Sequence, residues 1–258
     1  MAGTVLVCGT QEEVFKAAAD FFCKKLPARP ASGSSYSIAL SGGSTPRGLF
    51  RLLTREPYRS QCHWPSCTFL WGDERCVPPD HSDSNFRMAK ENLLDHVPIE
   101  PGQVFRMEGE QKPEDAALRY EQVLKEHLQV GESHLPRFDL ILLGMGPDGH
   151  TASLFPATTA LQETQRTVVA NWVEKLQTFR ITLTPPVLNA AKDVLFLVCG
   201  QDKAEAVHSV LEGPKAPERY PSQLVNPVSG ELTWIMDQPA ASLLTDTKMT
   251  NRVFQKER

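Results

Sequence analysis

Hydrophobic and polar positions follow two rhythms along this chain, one typical of strands and one typical of helices. Short runs of aliphatic and β-branched residues predict strands. These runs cover residues 5–8, 36–40, 67–72, 138–144, 167–173, 179–184, 193–200 and 232–237. The run at 138–144 is almost wholly apolar, as expected of a central parallel strand that is buried on both faces.

Between the strands, apolar residues recur at helical spacing. They predict helices at residues 12–26, 46–53, 85–97, 113–128 and 202–213, and a short one at 238–244. Residues 113–128 begin with proline and acids, which a helix N-terminus favours. The alternation of strand and helix predicts one α/β domain, residues 1–258, with a mostly parallel sheet and helices on both faces.

Ligands of such sheets bind beyond the carboxyl ends of the strands. We therefore expect the loops after Leu40, Gly72, Gly144, Thr184 and Gly200 to meet at one cleft. These loops carry most of the unusual chemistry of the sequence.

The loop after the second predicted strand has the sequence SGGSTP, which predicts an anion site. Its glycines let the backbone approach a ligand, and free amides at a helix N-terminus attract an anion. The alternative is a simple strand-to-helix turn capped by serine or threonine. Nucleotide-binding fingerprints are absent from this loop. The candidate substrate-binding residues here are Ser41, Gly42, Gly43, Ser44 and Thr45.

An acidic and basic cluster, GDERCVP, follows the third predicted strand. Charged groups are costly to bury without partners, so we expect these residues to bind a ligand or to pair with other charged groups. Arg75 could clamp a phosphate or carboxylate, and Asp73 could orient a histidine or bind sugar hydroxyls. Asn85 is a further candidate for substrate binding. The alternative is an ion-paired surface loop in which Ser84 or Asn85 caps the next helix.

The glycine-rich segment GMGPDGHTASLFP follows the most apolar strand and places His150 on a sharp turn. A histidine there is a candidate general base, since its charge changes near neutral pH. The alternative is a loop histidine bonded to the backbone. Asp148 is a candidate substrate-binding residue. A covalent route through Ser153 is not supported, because no GxSxG elbow is present.

Two basic residues complete the candidate set. Arg180 lies in a strand of apolar and β-branched residues and needs a partner there. Lys203 lies near the start of a helix, where a cation is unfavourable unless it meets an anion such as a substrate phosphate. The alternatives are a salt bridge for Arg180 and a solvated helix end for Lys203.

Composition limits the classes of partner. A net charge of −4 argues against nucleic acid, so phosphate contacts must come from a few local groups. The six cysteines form no CxxC pair and the sequence has no metal-ligand spacing, so we expect no metal and no cofactor. The sequence shows neither a secretory leader nor a run long enough to span a membrane. We expect a cytoplasmic protein that is a monomer or a weak homo-oligomer.

The motifs SGGSTP, GDERCVPPDHSDSN, GMGPDGHTASLFP, RITLTPPVLNAA and GQDKAEAV, taken in this order, resemble the 6-phosphogluconolactonases. They span residues 41–207. The resemblance implies a sugar-phosphate-isomerase-like fold, shared with glucosamine-6-phosphate deaminases. It also implies hydrolysis of a phosphosugar lactone, 6-phosphogluconolactone, to 6-phosphogluconate, the second step of the oxidative pentose phosphate pathway. Hydrolysis moves no electrons and needs no redox cofactor.

Two other functions stay open at this point. Deaminases share several of these motifs, but after the histidine they tend to continue toward an Asn-Glu-Pro segment, whereas this chain has TASLFP. A non-catalytic sugar-phosphate sensor is the third hypothesis. For the lactonase, we expect His150 to activate water, with one arginine on the oxyanion and the other on the phosphate. The sequence leaves open which arginine has which role.

Overall fold

The computed structural model describes residues 3–26, 35–129 and 135–245. The strands of this part of the chain are β1 Thr4–Cys8, β2 Tyr36–Leu40, β3 Cys67–Trp71, β4 Asp73–Arg75, β5 Leu140–Leu143, β6 Val168–Val173, β7 Thr178–Leu183, β8 Asp193–Val198 and β9 Glu231–Asp237. The helices are α1 Gln11–Lys25, α2 Ser44–Leu53, α3 Tyr58–Gln61, α4 Asn85–Asn92, α5 Pro113–His127, α6 Pro185–Ala190 and α7 Ala204–Leu211. None of these helices is long and apolar enough to cross a membrane.

Six strands form the main sheet, in the order β1-β9-β8-β5-β2-β3. Every neighbouring pair in it is parallel. The predicted mostly parallel sheet is therefore confirmed, and its carboxyl ends lie at one edge. The apolar run at 138–144 supplies β5, which lies between β2 and β8 with all four of its residues buried.

Helices cover both faces of this sheet, as predicted. Successive side chains of a strand point to opposite faces. In β5, Leu140 and Leu142 pack into a core with residues of α1, α2 and α4. Ile141 and Leu143 pack on the other side with residues of α5, α6 and α7. Two apolar cores therefore hold the sheet between layers.

A second, antiparallel sheet has the order β4-β7-β6. Residues 73–75 were expected as a polar loop, and this prediction is wrong. The chain passes from one sheet to the other at Gly72, whose N–H donates to the Leu40 carbonyl at 2.9 Å. The Gly72 carbonyl in turn accepts from the Leu183 N–H at 2.9 Å. In the β4–β7 register, Asp73 lies opposite Thr182 and Arg75 lies opposite Arg180.

Two further expectations are corrected by the structure. The loop after Thr184 does not reach the common cleft, because β7 belongs to the antiparallel sheet and its end points elsewhere. Pro185 and Pro186 line a different cavity. Residues 238–244 form turns rather than a helix. The Asp237 carboxylate accepts from the Ala240 N–H at 2.9 Å, a local bond that competes with helix formation.

Candidate active site

A cavity of about 250 Å³ opens at the carboxyl edge of the main sheet. Its lining comes from the loops after Leu40, Gly72, Gly144 and Gly200 and from residues next to them. Four of the five loops that were expected to share one cleft therefore do so. The candidate residues that line it are Ser41, Gly42, Gly43, Ser44, Thr45, Asp73, Arg75, Asn85, His150 and Lys203. Asp148 and Arg180 lie outside this lining. The other lining residues are small or apolar and were not named as candidates, although the first seven belong to the SGGSTP and GMGPDGHTASLFP motifs: Pro46, Gly144, Met145, Gly146, Pro147, Thr151, Ala152, Leu197, Val198 and Cys199.

The N-terminus of α2 forms one end of the cavity. Gly43 is the N-cap residue and no side chain caps the helix, so the alternative of a turn capped by Ser44 or Thr45 is not supported. Both residues already lie inside the first turn, where backbone N–H groups have no intrahelical acceptor. Ser41 Oγ is buried next to this turn and has no hydrogen-bond partner in the described part of the chain. Free donors at a helix N-terminus suit an anion.

Gly42 lies against the side chain of Asn85. A Cβ added at Gly42 would overlap Oδ1 of Asn85. The Asn85 amide is committed elsewhere, since Nδ2 donates to the Asp73 carbonyl at 2.9 Å and to Asp73 Oδ1 at 3.3 Å. Glycine at position 42 therefore lets the α2 loop approach the start of α4 closely.

We expect Gly42→Ala to damage both stability and substrate binding. The methyl group must displace a buried, hydrogen-bonded amide, and overpacking of this kind costs about 1–3 kcal/mol. Thermal unfolding and KM for the substrate proposed below measure the two effects. Gly102→Ala is the matched control, because an added Cβ there meets nothing within 4 Å. Equal melting temperatures and KM values for the two variants would contradict the expectation.

The three side chains of β4 point to two different faces of the strand. Asp73 and Arg75 line the cavity, and Glu74 points to the other face, as alternation requires. Asp73 Oδ2 accepts a 2.6 Å hydrogen bond from Ser153 Oγ. Ser153 is buried and thus holds this carboxylate in place, while Asn85 holds its other oxygen. The hypothesis that Asp73 orients His150 is not supported, because Asp148 occupies that position.

Glu74 anchors the start of α4, a role that the sequence did not reveal. Its carboxylate accepts from the N–H groups of Asn85 at 2.7 Å and Phe86 at 2.8 Å. It also accepts from Ser84 Oγ at 3.1 Å. Burial raises the pKa of Glu74, and these hydrogen bonds oppose the rise. Ser84 caps the helix by accepting from the Arg87 N–H, so the expected cap is confirmed, but the ion-paired surface loop is not, because Asp73 and Glu74 are buried.

His150 lies on the turn that follows β5. Its Nδ1 is 2.5 Å from Asp148 Oδ1, and its ring stacks on Phe155 at 4.1 Å between centroids. The turn needs glycine at position 149, where φ is +74°, and the Gly149 carbonyl accepts from Ser222 Oγ at 2.8 Å. A carboxylate can only accept, so Nδ1 carries the proton and the neutral ring has its lone pair on Nε2. That nitrogen has no partner in the described part of the chain.

Asp148 therefore holds the histidine and is not one of the cavity-lining residues. Its second oxygen, Oδ2, lies 3.0 Å from Nζ of Lys175. Burial alone would raise the pKa of Asp148, but the hydrogen bond and charge of His150 and the bond from Lys175 lower it well below its usual range. Asp148 is therefore ionised near neutral pH. The Asp-x-His spacing could have indicated this pair, but Asp148 was expected to bind substrate and Asp73 to orient the histidine.

Arg75 and Arg180 lie on neighbouring strands, and directly opposed side chains of an antiparallel pair share a face. Arg75 Nη1 donates to the Asp83 carbonyl at 2.7 Å, and Arg180 Nη1 to the Phe179 carbonyl at 3.2 Å. In the described ranges neither guanidinium forms an ion pair with a carboxylate, so the salt-bridge alternative for Arg180 is not supported. Burial lowers the pKa of Arg180, and the charge of Arg75 lowers it further. Two adjacent cations of this kind favour a bound anion.

Lys203 also lines the cavity, in the short helical turn before α7. Its Nζ is 2.7 Å from Oδ2 of Asp202. Asp202 is largely exposed, so the pair is solvated and leaves the ammonium group able to meet a ligand. Among the residues described, no cluster of three or more His, Cys, Asp or Glu side chains could hold a metal ion.

Comparison with known proteins assigns this arrangement to a family. The family model for glucosamine-6-phosphate isomerases/6-phosphogluconolactonase matches residues 9–234. The chain belongs to this family. A 6-phosphogluconolactonase of Synechocystis sp. is 42% identical over 209 residues, which cover 81% of this chain and 84% of the relative.

Solved structures of both branches of the family superpose on this chain. A 6-phosphogluconolactonase from Trypanosoma cruzi has a TM-score of 0.83 and 30% identity, covering 94% of this chain and 97% of that one. A monomeric glucosamine-6-phosphate deaminase has a TM-score of 0.78 and 25% identity, covering 93% of this chain and 100% of that one. The resemblance indicated by the motifs is confirmed, and the lactonases are the more similar branch in these comparisons.

Proposed function

We propose that the chain hydrolyses 6-phospho-D-glucono-1,5-lactone to 6-phospho-D-gluconate. One observation carries the proposal: a histidine with a free ring nitrogen and an uncapped helix N-terminus line the same cavity. A lactone is an ester, so its hydrolysis needs an activated water, a stabilised oxyanion and a fixed substrate. A phosphorylated lactone carries an anionic group at one end that could fix it.

The phosphate is proposed to bind at the start of α2. The first-turn amides around Ser44 and Thr45 and the Ser41 hydroxyl offer hydrogen-bond donors, and Lys203 offers a positive charge. Charge-assisted hydrogen bonds to phosphate are about twice as strong as neutral ones. The phosphate thereby positions the lactone ring beside His150, which reduces the entropy cost of the reaction.

His150 is proposed to act as general base. Nε2 accepts a proton from water while the water oxygen attacks the lactone carbonyl carbon. Arg75 stabilises the negative charge that develops on the carbonyl oxygen. When the carbon–ring oxygen bond breaks, the His150 imidazolium returns the proton to that oxygen. The new carboxylic acid then releases its own proton to solvent, and His150 is neutral again.

Asp73 is proposed to bind hydroxyl groups of the sugar. Ser153 and Asn85 hold both of its oxygens in place, and a carboxylate that lines the cavity can accept hydrogen bonds from hydroxyls. Asn85 contributes mainly by fixing Asp73 and Gly42. Asp148 contributes by keeping the proton of His150 on Nδ1.

The testing experiment compares freshly generated 6-phosphogluconolactone with the unphosphorylated lactone, each corrected for spontaneous opening. For Lys203→Gln we expect kcat/KM to fall about 10- to 100-fold for the phosphorylated lactone, because a charged hydrogen bond is worth about 1.5–3 kcal/mol. The unphosphorylated lactone serves as the internal control. Its kcat/KM should fall less than about twofold in Lys203→Gln, because this substrate has no phosphate for Lys203 to bind. Equal losses for both substrates would contradict the phosphate role.

The same assay separates the alternatives. Wild-type protein that does not accelerate opening of the phosphorylated lactone overturns the proposed activity. Ammonia release from glucosamine 6-phosphate would favour the deaminase, with which the fold is shared. Binding of 6-phosphogluconate without acceleration would favour the sensor. The expected cytoplasmic location and the expected monomer or weak homo-oligomer stay predictions.

A further inference from the structure

Lys175 connects the second sheet to the catalytic turn. It lies at the tip of the β6–β7 hairpin, in the short helical turn Glu174–Leu176, and 66% of its side chain is exposed. Its Nζ is 3.0 Å from Asp148 Oδ2, and Asp148 Oδ1 contacts His150 Nδ1 at 2.5 Å. The three side chains form a continuous chain of polar contacts that ends at the histidine ring.

The hairpin tip is ordered independently of this contact. The carboxylate of Glu174 accepts from Trp172 Nε1 at 2.8 Å and from Gln177 Nε2 at 2.8 Å. The Glu174 carbonyl also accepts from Gln177 Nε2 at 2.9 Å. These bonds fix the turn and present Lys175 toward the loop that carries Asp148. A pre-ordered turn lowers the entropy cost of holding a long side chain at one place.

The position of the pair decides what it can contribute. An exposed ion pair adds little to stability, and Lys175 is mostly exposed. Asp148, however, is only 23% exposed, and its two oxygens contact two different nitrogen groups. The backbone N–H of His150 also donates to Oδ1 at 3.3 Å, so this oxygen is held beside the imidazole without Lys175. A cation on Oδ2 takes up part of the negative charge that would otherwise stabilise the imidazolium.

We propose that Lys175 is a positioning residue of the active site: its ammonium group pairs with Oδ2 of Asp148 and limits how strongly that carboxylate favours the protonated ring of His150. The inference rests on the proposed function in that His150 must be neutral to accept a proton from water. The low pKa of Asp148 is consistent with this geometry. Lys175 itself does not line the cavity.

Other charged groups surround the imidazole and stay unchanged in the test. Asp73, Arg75 and Lys203 line the same cavity. Arg219 lies over the ring of Tyr220, which packs against Gly149. Because these groups are common to all variants, a difference between variants reports on position 175 alone.

The test measures kcat/KM from about pH 5 to about pH 9, where a general base produces an acid limb. For Lys175→Met we expect the midpoint of this limb to move up by about 0.3–0.7 pH unit, the equivalent of a weak ion pair. Activity then falls about two- to fivefold on the limb, while the plateau changes little. The sign is upward because an uncompensated Asp148 stabilises the protonated ring. Lys175→Arg keeps the charge and should restore the wild-type limb.

Lys192→Met is the matched control. Lys192 also forms an ion pair with an aspartate, Asp139, at 2.6 Å, but Asp139 precedes β5 and lies at the opposite end of that strand from His150. This variant should keep the wild-type limb. The same upward shift in Lys192→Met, or an equal loss at every pH in Lys175→Met, would overturn the inference, since either result indicates a general structural effect.

A second readout does not depend on lactonase activity. The NMR titration of the His150 ring Cε1–H, assigned with the His150→Asn variant, should move up by the same amount in Lys175→Met. An unmoved titration overturns the role of Lys175 even if the enzyme is a lactonase. A moved titration supports that role even if wild-type protein fails to open the lactone, and that failure would overturn the proposed function alone.

Discussion

Replacing His150 by asparagine is expected to lower kcat for 6-phosphogluconolactone by about a hundred- to ten-thousand-fold. Asparagine is similar in size and can still donate to Asp148, but it cannot accept a proton from water near neutral pH. The imidazole is partly exposed at the cavity, so the melting temperature should change little. The measurement is the initial rate with freshly generated lactone, after subtraction of a substrate-only rate.

Binding separates loss of chemistry from loss of the site. The His150→Asn variant should bind 6-phosphogluconate about as well as wild type by calorimetry, because the proposed phosphate contacts come from α2 and Lys203. His96→Asn is the control, since His96 is exposed near the end of α4 and lies outside the cavity. A near-normal rate in His150→Asn would remove this residue as the base.

The second large effect is expected at Arg75. Arg75→Ala should lower kcat/KM by about a hundred- to a thousandfold, the loss usual when a donor to a developing oxyanion is removed. The loss should fall mainly on kcat, because an interaction made only in the transition state does not alter ground-state binding. Steady-state kinetics with the phosphorylated lactone measures both constants.

Arg180→Ala is the matched comparison. Arg180 lies on the strand next to Arg75 and faces the same side, but it does not line the cavity. Its removal relieves repulsion between like charges and should cost less than about tenfold in kcat/KM. Equal losses in the two variants would contradict the assignment of the oxyanion role to Arg75. If Arg75→Ala instead raises KM and leaves kcat unchanged, this arginine binds the phosphate rather than the oxyanion.

The main sheet was predictable because its strands are short runs of aliphatic and β-branched residues that can be recognised in the sequence. A strand such as β5, buried on both faces, requires an uninterrupted apolar run, and few other structures require one. The carboxyl-edge rule then places the loops after β2, β5 and β8 together without any knowledge of side-chain contacts. His150 and the α2 N-terminus could be brought together on this basis alone.

The second sheet was not predictable in the same way. Strand β4 has three residues and two of them are acids, so nothing in its local sequence is typical of a strand. It exists because β7 pairs with it from more than a hundred positions away. The same limit explains the misplaced loop after Thr184, since an antiparallel strand sends its carboxyl end in the opposite direction.

The partners of the site side chains were not predictable in the same way either. The sequence offered Asp73 as a partner for His150, and the structure gives that place to Asp148, which is two residues away. Ser153 and Asp73 are 80 positions apart, and Lys175 and Asp148 are 27 apart. Each contact depends on how the two sheets pack, which the periodicity of apolar residues does not specify.

The pairing of β4 with β7 has a consequence for how this protein can change. Because β4 is only three residues long, a single insertion or deletion near Gly72 would invert the strand, turning Glu74 inward and aiming Asp73 and Arg75 at α4. Such a change would erase two of the proposed substrate contacts at once while leaving the six-stranded sheet intact. Insertions and deletions in related sequences should therefore be rare between Gly72 and Ser84 and more frequent in surface loops remote from this segment.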